Sequence, residues 1–318
     1  MKTVRWVLAH EPIELFLRAA NRFKETIEQT APGELNLEIL TLSEYSDKYN
    51  NGEAVTKHDL LSLMSEGKIE VSQMYTSTLG RKHNRDMWAL DLPFLFKDHD
   101  HATRVFEGPI GEQLLDGLGD SRLGEKGGVK GLAFTYSGGF RNIPANVKIE
   151  KIEDFAGVKL RCNKSPIAQE TIEAVGGVSV PIELEQINEG VQSGEIVGGE
   201  STYPRFYGLK QNEVMNTIND TQHSLFLTTI LTSNSFWKDL DPELQKKVQA
   251  ASFDAAKAER VWSVEDIDLV QSQCADEGIE VNIMSEAERS RFQEKTAYIY
   301  DKFADEFSEG LVDSIKNA

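Results

Sequence analysis

The sequence predicts an α/β protein of two lobes, joined by crossing strands and one long shared helix. Three observations carry that reading. At 318 residues the chain is long for a single hydrophobic core and suits two domains of ordinary size. Short apolar runs at period 2 alternate with helical patterns along most of its length, as strand–helix units do. From Asp241 onward, DPELQKKVQAASFDAAKAERVWSVEDIDLVQSQCADEG offers an N-cap Asp, a proline at the first helical position and no interior Gly or Pro. At about 1.5 Å per residue such a helix outruns one small domain and is expected to pass between two. Its apolar spacing holds no heptad, which sets aside a coiled-coil arm.

Strand then helix opens the chain: VRWVLAH reads as a buried strand ending at His10, and Pro12 to Thr30 has the i, i+3, i+4 pattern of an amphipathic helix. LNLEIL is a second strand. SEYSDKYNNGEA reads as a polar loop before a short helix, KHDLLSLMSEG, stopped by Gly67. IEVSQMYTSTLG is a third strand with its loop, and DMWALDLPFLF is an unusually apolar stretch. HATRVFEGPIGEQLLDGLG reads as helix, glycine break, helix, and GVKGLAFTYSGG returns to strand. Beyond this, Ser165 to Val175 is a helix, VSVPIELEQINEGVQSGEIVGGES reads strand, helix, strand with Gly194 as the C-cap, and NEVMNTIND and HSLFLTTILTSNSFWKDL repeat the pattern. No flexible linker separates the halves. The chain is therefore expected to pass between lobes through structured strands, the hinge a closing binder needs.

Composition narrows the function classes. With 40% hydrophobic and 27% charged residues the chain is globular, and no run approaches the roughly 18 apolar residues of a spanning helix. A net charge of -18 argues against nucleic acid or an anionic membrane as partner. In that negative field, arginines gathered in one place are more informative than they would be on a basic protein. Cys162 and Cys274 make neither a disulfide framework nor a metal motif, and no cofactor signature is present: GxGxxG and Walker-type patterns are absent. The opening MKTVRWVLAHEP lacks an export h-region, which reads as a cytoplasmic protein or as a mature form whose leader was replaced by an initiating Met.

The run GGFRNIPANVKIEKIEDFAGVKLRCNKSP, from Gly138 to Pro166, holds the candidate binding chemistry. Val158, Leu160 and Cys162 alternate with Lys159 and Arg161, so a short strand puts the apolar set on one face and ends at Arg161. The turn residues Asn163 to Pro166 place its guanidinium at a strand-to-helix junction, where open α/β sheets bind ligands. Arg141 follows another strand with a glycine turn. Two guanidinium forks able to grip carboxylates bidentately point to an anionic organic ligand; the plain alternative is two surface cations. The His99–His101 pair has no third ligand at diagnostic spacing, so no metal is expected. Asp59 and Glu70 read by default as solvated carboxylates. His10 and His223 are expected to touch ligand rather than catalyse.

Six segments carry a family resemblance: SEGKIEVSQMYTSTLG, ALDLPFLFKDHDHATRVFEGPIGEQLL, GLAFTYSGGFRNIPAN, IEDFAGVKLRCNKSP, VPIELEQINEGVQSGEIVGGES and SNSFWKDLDPELQKKV. In this order, across most of the chain, they resemble the substrate-binding subunit of a tripartite ATP-independent periplasmic (TRAP) transporter of the C4-dicarboxylate-binding type. The resemblance implies a periplasmic-binding-protein-like fold of two α/β lobes, 1–131 plus 216–258 and 132–215 plus 259–318, that close on a ligand in the cleft. It implies a non-enzymatic, monomeric periplasmic protein that captures a small organic acid and delivers it to TRAP membrane subunits. A ligand-presenting partner of a sensor kinase and an enzyme acting on an organic acid are the alternatives.

By position, Arg161 matches the family's principal carboxylate-binding arginine, and Arg141 the arginine that assists it from the cleft edge, with Lys164 as a further cation. Ser201 stands where an amide is usual and Leu184 where an aromatic is usual, so an uncommon ligand is expected. Arg141, Arg161 and Ser201 on the second lobe, and His10, Tyr75 and Trp88 on the first, would meet the ligand together on closure.

Overall fold

The computed structural model describes residues 2–119 and 128–318. Its strands are β1 (Lys2–Leu8), β2 (Leu35–Thr41), β3 (Val71–Tyr75), β4 (Val129–Phe140), β5 (Ile143–Ala145), β6 (Lys159–Arg161), β7 (Val178–Val180), β8 (Gly198–Gly199), β9 (Thr217–Asp220), β10 (Leu225–Ser233) and β11 (Glu280–Ile283). They form two sheets with helices between the strands, the α/β class read from the alternation. No helix among the described residues is long and apolar enough to cross a membrane.

The chain divides into two compact units. The first comprises Met1–Asn84, Phe106–Tyr136 and Leu227–Trp262. Its sheet has the order β2-β1-β3-β10-β4, with β1 parallel to β2 and β3, and β10 antiparallel to β3. The helix Ile13–Thr30 lies against it because Phe16, Ala20, Phe23 and Ile27 recur on one face, and Phe23 tilts against Trp6 at 5.1 Å. SEYSDKYNNGEA, expected as a loop, contributes to a helix, Leu42–Tyr49. Thr41 and Glu44 form a capping box there, which satisfies the first turn despite the polar composition.

The second unit comprises Arg85–Val105, Ser137–Phe226 and Ser263–Ala318. Its sheet has the order β11-β9-β5-β8-β6-β7: β6 runs parallel to β7 and β8, and β5 antiparallel to β8 and β9. One core gathers Ile143, Phe155, Leu160, Cys162, Ile172 and Phe292; another gathers Ile187, Ile196, Phe206, Met215, Ile218 and Cys274. Both cysteines are buried and free.

Three long elements run from one unit into the other along the chain: β4 changes unit after Tyr136, β10 after Phe226 and the helix Pro242–Glu277 after Trp262. That helix has 36 residues and starts where expected, with Asp241 Oδ1 accepting from the backbone N–H groups of Glu243 and Leu244. Two boundaries differ from expectation. The apolar segment Arg85–Val105 packs in the second unit, because C-terminal residues hold it: Tyr300 donates to the Pro93 carbonyl at 2.8 Å, Asp86 accepts from Ser308, and Phe94 meets Phe292 edge-on. And β9 is an interior strand of the second sheet, so the return crossing falls at β10 instead of near Asn216.

Candidate functional site

The site in the second unit is built where β6, β8 and the end of β4 come together. Arg161 is the last residue of β6 and pairs with Gly199 of β8. A Cβ on Gly199 would stand 2.7 Å from Arg161 Cβ and 2.8 Å from its carbonyl oxygen, so glycine lets the two strands approach. The next residue, Glu200, donates its N–H to the Arg161 carbonyl at 3.0 Å, which fixes its backbone beside that strand end. β4 does not stop in a glycine turn; it continues through Gly138, at φ 89°, to Phe140. A side chain at Gly138 would collide with Thr202. Arg141 follows, its N–H bonded to the Ser224 carbonyl at 2.8 Å, and Asn142 and Ser201 exchange two backbone hydrogen bonds.

Neither arginine is a surface cation. Arg141 is 2% exposed and Arg161 6%. Arg141 is therefore interior, not at an edge: its guanidinium lies 3.7 Å over the Phe226 ring, and its Nη1 is 3.8 Å from Glu200 Oε2. Glu200 also accepts from His223 Nε2 at 3.0 Å. Burial alone would raise the Glu200 carboxyl, but Arg141, His223 and Arg161 outweigh it and hold it down at about 2. Arg205, donating to Ser137 Oγ at 2.9 Å, is a third buried guanidinium beside the same Phe226 ring. Asp91 is a second buried carboxyl, pushed up to about 6 by desolvation against the pull of Arg141.

Arg161 differs from its neighbour. Among the described residues the one hydrogen bond of its guanidinium runs from Nε to the Ile182 carbonyl at 3.1 Å, and it has no ion pair. Desolvation lowers its pKa, with Glu200 opposing. A buried guanidinium without a paired carboxylate is costly unless an anion completes it. Arg161 thus presents a fork suited to a ligand carboxylate, on a strand end.

Residues 9–306 match the family described as "Bacterial extracellular solute-binding protein, family 7". This chain belongs to that family. A solute-binding protein of Chromohalobacter salexigens is 28% identical over 231 residues, 72% of this chain and 66% of that protein. Two solved structures share the fold: a TRAP periplasmic solute-binding protein from Shewanella oneidensis with bound succinate (TM-score 0.82, 22% identity, covering 99% and 98% of the two chains), and one from Pseudomonas putida F1 with bound D-glucuronate (TM-score 0.85, 20% identity, 99% and 97%).

In this family 7 protein the remaining expected site residues divide into groups. His223 is fully buried; Nε2 serves Glu200, Nδ1 lies 2.7 Å from the Thr221 hydroxyl, and the ring stacks on Phe292. With both nitrogens engaged it holds Glu200 in place, which does not fit the expected ligand contact. Ser201 is buried beside Asn142. Lys164 is half-exposed and its ammonium sits 2.5 Å from Glu183, so its charge is answered there. Leu184 is half-buried and packs on the core around Ile187 and Phe206. Trp88 lies in the second unit, under the Arg85 guanidinium at 4.2 Å, and not in the first as expected.

In the first unit His10 and Tyr75 meet at 4.6 Å with Phe16 against both. Glu70, expected on a solvated face, is buried and paired with Arg5. His101 ties its helix to the C-terminus, since its Nδ1 accepts from the Lys97 N–H and its Nε2 meets the Ile315 carbonyl at 2.7 Å. Sequence reasoning missed Glu200, Asp91 and Arg205. The one signal for Glu200 was its place directly after the two glycines of a strand, since small residues there let a neighbour's side chain turn inward.

Proposed function

We propose that this protein captures a small organic acid outside the cytoplasm, in the periplasm, and delivers it to the membrane subunits of a TRAP transporter, acting as a monomer without catalysis. The observation that carries this reading is Arg161: buried, at a strand end, and without a carboxylate partner among the described residues, while Arg141 beside it is paired with Glu200. A ligand carboxylate is the group that Arg161 lacks. Family membership supports a solute-binding role, and the succinate and D-glucuronate held by proteins of like fold support acids as the ligand class. Capture proceeds by closure on the ligand, as the family resemblance implies. A thermal-shift screen over mono- and dicarboxylic acids, with neutral sugars and amines as controls, tests the reading, because a ligand specific to the folded state raises the midpoint. Acids that shift the midpoint without being consumed fit it; a response to neutral sugars alone removes it.

A further inference from the structure

Strand register places two further polar side chains beside Arg161. Arg161 pairs with Gly199 of β8, and residues two apart on a strand share a face, so Ser201 lies on the face of Arg161 with no side chain at Gly199 to separate them. Asn142 pairs with Ser201 in the register that joins Ala145 to Gly198: Asn142 donates its N–H to the Ser201 carbonyl at 3.0 Å, and Ser201 donates back at 2.9 Å. Directly paired residues point the same way, which puts the Asn142 amide on that face too.

Both side chains are fully buried, and among the described residues Asn142 Oδ1, Asn142 Nδ2 and Ser201 Oγ have no hydrogen-bond partner. The backbones of the pair satisfy each other; the side chains are left over. Three unanswered polar atoms on one strand pair are costly to bury unless a group from outside the chain completes them. Two charged atoms of this site also lack a hydrogen bond, Arg141 Nη1 and Glu200 Oε2, but they face each other at 3.8 Å as an ion pair, and Glu200 alternates to the opposite face from Ser201. Arg205 is engaged by Ser137 and Phe226.

We propose that Asn142 is a specificity-determining residue of this site: with Ser201 it reads a hydroxyl on the body of the acid whose carboxylate Arg161 holds, and so selects hydroxy acids over their unsubstituted counterparts. This deepens the carboxylate reading above and rests on it. An amide offers a donor and an acceptor together. A hydroxyl can accept from Nδ2 or from the Ser201 hydroxyl while donating to Oδ1; a methylene answers none of these atoms, and a carboxylate oxygen has no proton for Oδ1. An acid without the hydroxyl leaves the amide desolvated and unanswered, the circumstance in which a site discriminates most strongly.

The test compares acids matched in carbon skeleton and charge, malate with succinate and D-erythronate with butyrate, by calorimetry on the wild-type protein, Asn142→Leu and Ser201→Ala. The wild type is expected to bind the hydroxylated member of each pair about tenfold tighter or more, Asn142→Leu to lower that ratio by about tenfold, and Ser201→Ala to lower it by less. Leucine keeps the shape of the side chain without its unanswered atoms, so the thermal midpoint of unliganded Asn142→Leu should equal or exceed that of the wild type. A lowered midpoint with equal loss of both members of a pair marks a structural amide and overturns the proposal. The wild-type ratio and Ser201→Ala decide the question if Asn142→Leu folds poorly. No preference in the wild type, or a ratio unchanged by the substitutions, overturns the role of Asn142 while leaving the carboxylate reading in place. Binding of none of the four acids overturns it too, and a blank acid screen alongside overturns both.

Discussion

Arg141 and Glu200 lie side by side in the interior of the second unit, Nη1 3.8 Å from Oε2, with His223 on the far side of the carboxylate. The pair answers one of the two arginines that the strand ends bring together, while Arg161 has no ion pair among the described residues.

Glu200→Gln keeps the shape and removes the counter-charge. It should destabilise the protein by about 3–5 kcal/mol in urea titrations, because Arg141 is left buried without its partner. Since the depressed Glu200 carboxyl titrates at about 2, its contribution is present above the ordinary carboxylate range and is lost as pH falls toward that value. Wild-type stability in Glu200→Gln would show that the pair is solvated.

Asp91 acts with the opposite sign. Its folded-state value, about 6, lies above the ordinary aspartate value of 3.8, so its stabilising contribution is present below the unfolded value and lost as pH rises through about 6. Relative to the wild type, Asp91→Asn should therefore gain stability between about pH 4 and 7, by about 3 kcal/mol at most. Parallel stability–pH curves for the two proteins would contradict this.

Arg161→Lys retains charge but loses the planar fork and the Nε bond to the Ile182 carbonyl. Calorimetry with a ligand from the screen should find it nearly as impaired as Arg161→Ala, each weaker by about 2–5 kcal/mol. Unaltered affinity in either variant would remove Arg161 from the site.

Gly199→Ala tests the scaffold beneath the arginine. The added methyl meets Arg161 Cβ and the backbone carbonyl, so β6 and β8 must separate. A loss of about 1–3 kcal/mol in stability, together with weaker acid binding, is the expected result. Unchanged stability and affinity would mean that the strands yield freely.

Ligand-driven closure predicts a smaller radius of gyration in small-angle scattering once a ligand is bound. An unchanged radius, with binding verified in the same sample, would remove closure.

Much of the architecture was legible because it is locally encoded. Asp241 and Pro242 mark the start of the 36-residue helix through capping chemistry that needs no distant partner, and Gly194 ends its helix in the left-handed conformation at φ 77°. The alternation around Leu160 placed Arg161 at its strand end, with Leu160 and Cys162 fully buried. The segment Leu42–Tyr49 escaped that reading because its helix depends on the reciprocal bonds of Thr41 and Glu44 more than on an apolar stripe.

By itself the sequence determined the α/β class, the long helix and the strand-end position of Arg161, since strand and helix periods and caps act over a few residues. Only the tertiary structure decided that Arg85–Val105 joins the second unit, that His223 turns to Glu200, and that among the described residues Arg141 has an ion-pair partner while Arg161 has none. The physical reason is that burial and charge pairing depend on side chains far apart in the chain. Asp91 and Glu200 acquire their shifted ionisation, and Arg141 and His223 their partner, only when the fold removes water from between them.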